Sequence, residues 1–188
     1  MVGVDLAWRL LQYAAHKPGG QGLGWVHGQA EWLPFAGATF ARALLSLVLH
    51  QLAHRAQTLQ EIARVLQPGG LVIIRTITPE AVRQRMPFRF FPTVAELEAT
   101  RMPTIAEIEA LLMGAGFVMV RTEVVERQKA LDFQAVLTEL HDRPSYRALT
   151  AEECTEGLAA MREEWQRQAG RVVDPRPTLF MVGQKQER

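Results

Sequence analysis

Cysteine is nearly missing from this chain: Cys154 is the single one in 188 residues. An internal disulfide and any multi-cysteine metal centre are therefore ruled out. Lysine is also scarce, limited to Lys17, Lys129 and Lys185, while arginine brings the basic residues to 21 against 20 acidic ones. The formal net charge of +1 sets up no field that would draw nucleic acid or an anionic membrane. No apolar run approaches the roughly 20 residues needed to span a bilayer. The N-terminus lacks the basic-then-apolar pattern of a signal peptide. Five histidines are scattered, and only His50 and His54 have i, i+4 spacing, with no third ligand in register, so no metal is expected. These absences point to a cytoplasmic protein with neither nucleic-acid nor membrane partners.

What is present is the composition of a soluble globular domain, 48% hydrophobic and 22% charged, long enough to bury a real core. Val2–Val4 reads as a short strand. Leu6, Leu10, Leu11 and Ala14 follow at helical spacing until Pro18-Gly19-Gly20 stops the helix. Leu23–Val26 is a second strand. Thr39–Leu49 is almost wholly apolar, as expected for a strand buried on both faces of a parallel sheet. Leu59, Ile62, Ala63 and Leu66 mark a helix face, and Pro68-Gly69-Gly70 turns the chain into a strand at Leu71–Thr76.

Residues 78–101 break this rhythm with Pro87, Phe88, Phe90, Phe91 and Pro92. Thr104–Glu107 is a capping box for a helix carrying Ile105, Ile108, Leu111 and Leu112 inward. Phe117–Val125 is a strand. Leu131, Val136, Leu137 and Leu140 share a helical side. Thr150–Glu153 caps a helix with Cys154, Leu158, Met161 and Trp165 on one stripe, Cys154 being expected as a buried thiol. Thr178–Gln184 closes the pattern as a strand. The alternation predicts an α/β fold with a parallel sheet between helices.

Gly19-Gly20-Gln21-Gly22-Leu23-Gly24 is rich in glycine, but it follows a helix and precedes a strand. A phosphate or dinucleotide loop must follow a strand and open a helix, so this stretch is a turn. Three other segments carry a stronger signal. They are Val2-Gly3-Val4-Asp5, Gly28-Gln29-Ala30-Glu31-Trp32-Leu33-Pro34-Phe35, and Glu61-Ile62-Ala63-Arg64-Val65-Leu66-Gln67-Pro68-Gly69-Gly70-Leu71. In that order and spacing they resemble the class I S-adenosylmethionine-dependent methyltransferases, in the branch that acts on quinone precursors and other small molecules. The resemblance implies a Rossmann-like sheet forming one methyltransferase-like domain over residues 1–188, with residues 78–101 and 126–170 as cover or insertion segments. It places the last strand antiparallel at the sheet edge. It also implies S-adenosyl-L-methionine as cofactor and methyl transfer to a small-molecule acceptor. Methylation of arsenite is excluded by the shortage of cysteine.

The family resemblance puts Asp5 on the ribose hydroxyls and Leu6 beside it, and Asp5 also suits the N-cap of the following helix. Gln29 stands where the family has an acidic residue facing the adenine amino group; it keeps an acceptor, and the Ala30 amide would donate to the ring. Ser46 and Leu47 fall at the end of the strand where cofactor and acceptor meet. His50 just beyond is a candidate general base, or simply a residue that starts a helix. Trp32, Leu33, Pro34 and Phe35 are expected to pack in the core. Phe88, Phe90 and Phe91 with Arg85 and Arg89 would line an acceptor pocket or form an apolar flap.

In the family a strand and a Gly-rich loop precede the Asp5 strand, and here the chain starts inside the second strand of that pattern. The expected domain is therefore N-terminally truncated, by a misplaced start or by nature, and its activity impaired. The alternative is a non-catalytic remnant or an oligomeric interaction module. Strands Val2–Val4 and Phe40–Leu49 would flank the absent one, and they are expected to pair directly or to be covered by a second chain, a homodimer, since open strand edges invite association.

Overall fold

The computed structural model describes residues 1–187. The chain runs β1 (Val2–Asp5), α1 (Trp8–His16), β2 (Gly24–His27), β3 (Phe40–Ser46), α2 (Arg55–Val65), β4 (Leu66–Thr76), α3 (Pro79–Arg83), α4 (Pro92–Ala99), α5 (Ile105–Gly114), β5 (Phe117–Val125), β6 (Gln128–Ala130), α6 (Phe133–Asp142), α7 (Ala151–Arg167), β7 (Val173–Pro175) and β8 (Thr178–Lys185). It divides into two compact units. The first holds residues 1–73, 109–121 and 182 onward; the second holds residues 74–108 and 122–181.

The first unit is the α/β part. β1 pairs with β2 in parallel, placing Gly3 opposite Trp25 and Asp5 opposite His27. Glycine is required at position 3, because a Cβ there would lie 2.4 Å from the Trp25 ring. A separate four-stranded sheet has the order β3-β4-β8-β5. Direct pairing of β1 with β3, one of the expected outcomes, does not occur: each lies in its own sheet, and β3 is the terminal strand of the second. The last strand, β8, sits between β4 and β5 rather than at the edge expected for it. β5 takes the edge, and its exposed Val118, Val120 and Val124 suit that position.

Helix α2 forms as its periodicity predicts, burying Leu59, Ile62, Ala63 and Val65, with Leu66 following at 0% exposure. Each such aliphatic side chain contributes about 1.5–3 kcal/mol when fully buried. The Pro68-Gly69-Gly70 turn lies within the first residues of β4. Gly69 has φ 73°, and a Cβ on Gly70 would stand 2.8 Å from the Gln67 carbonyl.

Two apolar patterns are not buried as their spacing suggested. In α1 only Leu11 is buried, while Leu6, ahead of the helix, and Leu10 are 63% and 57% exposed. In β3 Leu45 is buried but Leu44 is 65% exposed. The strand's apolar composition suits burial on both faces, yet it forms the end of its sheet.

The second unit is mainly helical and has its own core. Val82, Met86, Phe88, Phe91, Val94, Leu131, Val136, Leu140, Met161 and Trp165 are buried together. Phe88 and Phe91 are thus buried in this core, and Arg89 is exposed. Both capping boxes form. Thr104 and Glu107 bond reciprocally, as do Thr150 and Glu153 at the start of α7. Cys154 is free and half-buried rather than fully enclosed. The antiparallel pair β6–β7 sets Lys129 opposite Asp174.

Helix α7 lies tight against the aromatic run. A Cβ on Gly157 would stand 2.4 Å from the Phe91 ring and 2.6 Å from the Phe90 carbonyl. Gly157→Ala is therefore expected to destabilise the protein by about 1–3 kcal/mol despite alanine's better helix propensity. Chemical denaturation reads this directly, and an unchanged or raised midpoint would refute the tight contact.

Candidate cofactor site

β1 and β2 run parallel and in register, so their carboxyl ends bring Asp5 and Leu6 beside His27 and Gly28. The Gly28 amide donates to the Asp5 carbonyl at 3.2 Å. The Asp5 carboxylate accepts from the Ala7 amide through Oδ1 at 2.7 Å. Asp5 is thus not the N-cap of α1; that position is Ala7, whose side chain caps nothing, and Asp5 forms a local Asx turn ahead of it. Oδ2 has no partner among the described residues. Leu6 is exposed next to it.

His27 was not among the residues selected from sequence. Its Nε2 holds the Leu6 carbonyl at 2.8 Å, and its ring meets Trp8 edge-on at 6.1 Å. The proton lies on Nε2, because a carbonyl can only accept. This bond joins the end of β2 to the turn after β1. Its only sequence signal is the position opposite Asp5, which requires the strand register to be known.

Gln29 is exposed and Ala30 half-buried, on the loop that leaves β2. That loop is fastened to α2. Glu61 accepts from the Leu33 amide at 3.0 Å, and Arg64 donates to the carbonyls of Phe35 at 2.8 Å and Leu33 at 3.0 Å. The same two side chains pair with each other at 2.7 Å. The Glu61-x-x-Arg64 spacing is therefore a clamp on the Leu33-Pro34-Phe35 segment. Trp32 and Pro34 project into solvent, contrary to the expected packing, Trp32 being 69% exposed. Leu33 and Phe35 are half-buried, and Phe35 meets Phe40 edge-on at 5.0 Å.

Ser46 and Leu47 lie at the end of β3, in the other sheet of this unit. Leu47 has φ 56°, a left-handed backbone unusual for a branched residue. His50 lies in the single 3₁₀ turn Leu49–Gln51 and is half-buried. The first unit thus gathers Asp5, Leu6, Gln29 and Ala30 on one pair of strands, with Ser46, Leu47 and His50 at the end of β3. Gly19–Leu23 is a turn between α1 and β2, and Gly24 opens β2. Among the described residues no group of three or more His, Cys, Asp or Glu side chains gathers to hold a metal ion. No helix among them is long and apolar enough to cross a membrane.

Residues 1–74 match the methyltransferase domain family. The biotin biosynthesis bifunctional protein BioHC of Cellvibrio japonicus is 39% identical over 79 residues, covering 42% of this chain and 16% of that protein. The ubiquinone/menaquinone biosynthesis C-methyltransferase UbiE of Desulfotalea psychrophila is 33% identical over 88 residues, covering 47% of this chain and 36% of that one. The chain thus spans only a minor part of these curated relatives. Among solved structures, a Bacillus halodurans protein assigned as a methyltransferase superposes with TM-score 0.66 at 20% identity, over 98% of this chain and 82% of that one. The N-terminal part of the chain thus resembles methyltransferase domains, and the fold over almost its whole length is that of a solved structure assigned as a methyltransferase.

The clamp on the loop has a pH signature. Hydrogen bonding from Arg64, helped by the Leu33 amide, holds the Glu61 carboxyl below its ordinary value against the opposing effect of burial. A lowered folded pKa means that the clamp's contribution is complete above the unfolded value of about 4.3 and is lost as pH falls through the lower folded one. The Leu33 amide proton should therefore titrate in NMR with a midpoint below about 4.3. In Glu61→Gln that titration should vanish. A midpoint at or above the ordinary carboxylate value would contradict the clamp.

Proposed function

We propose that this chain binds the adenosyl half of S-adenosyl-L-methionine at the carboxyl ends of β1 and β2, and serves methyl transfer to a small-molecule acceptor. One observation carries the reading. The Asp5 carboxylate stands at a strand end with Oδ1 fixed by the Ala7 amide and Oδ2 open, within the segment that matches the methyltransferase family. A carboxylate so oriented suits the vicinal hydroxyls of a ribose. Leu6, exposed, offers apolar surface to the adenine. Gln29 supplies an acceptor and Ala30 an amide donor to the base edge, and the loop bearing them is steadied by Glu61 and Arg64. Ser46 and Leu47 at the end of β3 complete the contact. The two compact units are read as parts of one methyltransferase-like domain, working in the cytoplasm.

Bound S-adenosyl-L-methionine supplies an electrophilic methyl group on a sulfonium. The residues' part is to position and to exclude water, since alignment of the reacting atoms provides much of the acceleration in such displacements. His50 is the candidate base for an acceptor that carries a hydroxyl proton. Among the described residues no Gly-rich loop follows a strand and opens a helix, and the contacts proposed for this chain are those to the adenosyl half. Calorimetry with S-adenosylhomocysteine tests the site. Asp5→Ala should weaken binding by roughly 1.5–3 kcal/mol, the value of a hydrogen bond to a charged group. A folded variant with unchanged affinity would remove Asp5 from the site.

The second reading is an oligomeric interaction module, and the division of the sheet favours it. β1 has β2 as its one ladder partner and β3 ends its sheet, with Val2 and Leu44 exposed beside these edges. Such edges are templates for another strand, and a net charge of +1 gives two copies little reason to repel. We therefore propose a homodimer. Light scattering should show a concentration-dependent dimer, with slowed amide exchange over Phe40–Leu45. A strict monomer with fast exchange there, yet cooperative unfolding, would overturn it.

A further inference from the structure

One edge of the four-stranded sheet has a sequence that complements itself. β5 is the terminal strand, with β8 as its one ladder partner among the described residues. The backbone groups on its outer side are a template for a further strand, which proteins often blunt with proline, a short strand or a covering segment. β5 runs for 9 residues, Phe117–Val125, with neither proline nor glycine. Its side chains also reach solvent on both faces. Val118, Val120 and Val124 are 50%, 59% and 49% exposed, and Arg121, Thr122 and Glu123 are exposed among them.

Successive side chains of a strand alternate between its two faces. Val118, Val120, Thr122 and Val124 therefore share one face, and all are β-branched. Met119, Arg121, Glu123 and Val125 share the other, with opposite charges in the middle and an apolar residue beyond each. A second copy adding to this edge about a twofold axis runs antiparallel, with the axis perpendicular to the sheet. Such an interface sets one residue opposite itself and thereby fixes every other pair. With Thr122 on the axis, Arg121 faces the partner's Glu123 and Glu123 faces the partner's Arg121. On the other face Val120 meets the partner's Val124, and beyond the charges Met119 meets the partner's Val125. Apolar thus meets apolar, threonine meets threonine, and each charge meets its opposite, all favourable cross-strand pairs. Moving the axis to Arg121 would set arginine against arginine, and moving it to Glu123 would set glutamate against glutamate. Like charges directly opposite are destabilising, so the register centred on Thr122 is preferred over its neighbours.

We propose that β5 is a docking edge for a second copy of this chain, joined antiparallel with Thr122 on the twofold axis and with Arg121 and Glu123 paired reciprocally across it. The occupant is a copy of the same chain because the strand is its own complement in charge and in the placing of its apolar residues. This edge is the opposite end of the sheet from β3. It neither uses nor requires the association proposed there, nor the cofactor site.

Sedimentation of the full chain over a dilution series, with amide hydrogen exchange at the two ends of that series, tests the proposal. A dimer should form as concentration rises, and exchange should slow over Met119–Val125. Slowing confined to Phe40–Leu45 would overturn this edge and support the one at β3, so the two fail separately. Arg121→Glu and Glu123→Arg each place like charges opposite, and each alone should weaken association at least tenfold. An equal mixture of the two single variants should associate as tightly as the parent, because every charge then meets its opposite. Both substitutions in one chain should also restore association, and since they leave the net charge unchanged they separate a local pair from a general charge effect. Thr122→Cys in a chain carrying Cys154→Ala should give a disulfide-linked dimer on oxidation, because residues directly opposite in an antiparallel pair have Cα atoms about 4.5–5.5 Å apart, within disulfide range. A monomer at every concentration, or a doubly substituted chain that associates no better than the single variants, would overturn the docking edge.

Discussion

Glu61 and Arg64 hold the first unit together at its weakest point. Its two sheets share no ladder, so the chain segment between β2 and β3 has to be fixed by something other than strand pairing. Two side chains one helical turn apart supply five bonds, two to each other and three to the backbone of Leu33 and Phe35. They project from α2, whose opposite face is secured by Leu59, Ile62 and Ala63. The clamp is therefore anchored in the core while acting at the surface. The position of Gln29 and Ala30, and with it any contact to a base, depends on this arrangement.

Much of the fold was legible in the sequence wherever the signal is local. Two capping boxes, the face of α2 and the strand Phe117–Val125 follow from hydrogen bonds and periodicities spanning a few residues, and all appear as read. Apolar pattern misleads where burial depends on a partner strand or helix. Leu10 and Leu44 belong to segments that look like core and lie in solvent. Periodicity tells which residues share a face, but it cannot tell whether anything covers that face. The place of β8 was misjudged for a related reason. Sheet order is set by which strands pair at long range, and that is not written in the composition of any one strand.

The site shows the same division. Asp5 was selected from motif and strand end, and the structure gives its carboxylate one committed and one open oxygen. His27 escaped notice because nothing in its neighbourhood along the chain marks it. Its role comes from standing across the ladder from Asp5. The polar cluster around Arg85 was visible only as a pair of arginines beside aromatic residues. Its partner Asp174 comes from 89 residues further along the sequence, and the ion pair emerges only when the chain is folded.

The order in which the chain is made has a consequence for how it is acquired. The first unit draws on residues 1–73 and again on residues 182 onward, and β8 lies between β4 and β5. A growing polypeptide emerges from the ribosome at about 5–20 residues per second. β3 and β4 are therefore outside for several seconds before the strand that completes their sheet has been translated. Over that interval the helical second unit, with its core contained in residues 74–181, can gather first. The α/β part must wait for β8. Chaperone dependence of this sheet would thus persist until β8 is made, and a nonsense codon just ahead of Thr178 would be as damaging to the sheet as one far upstream.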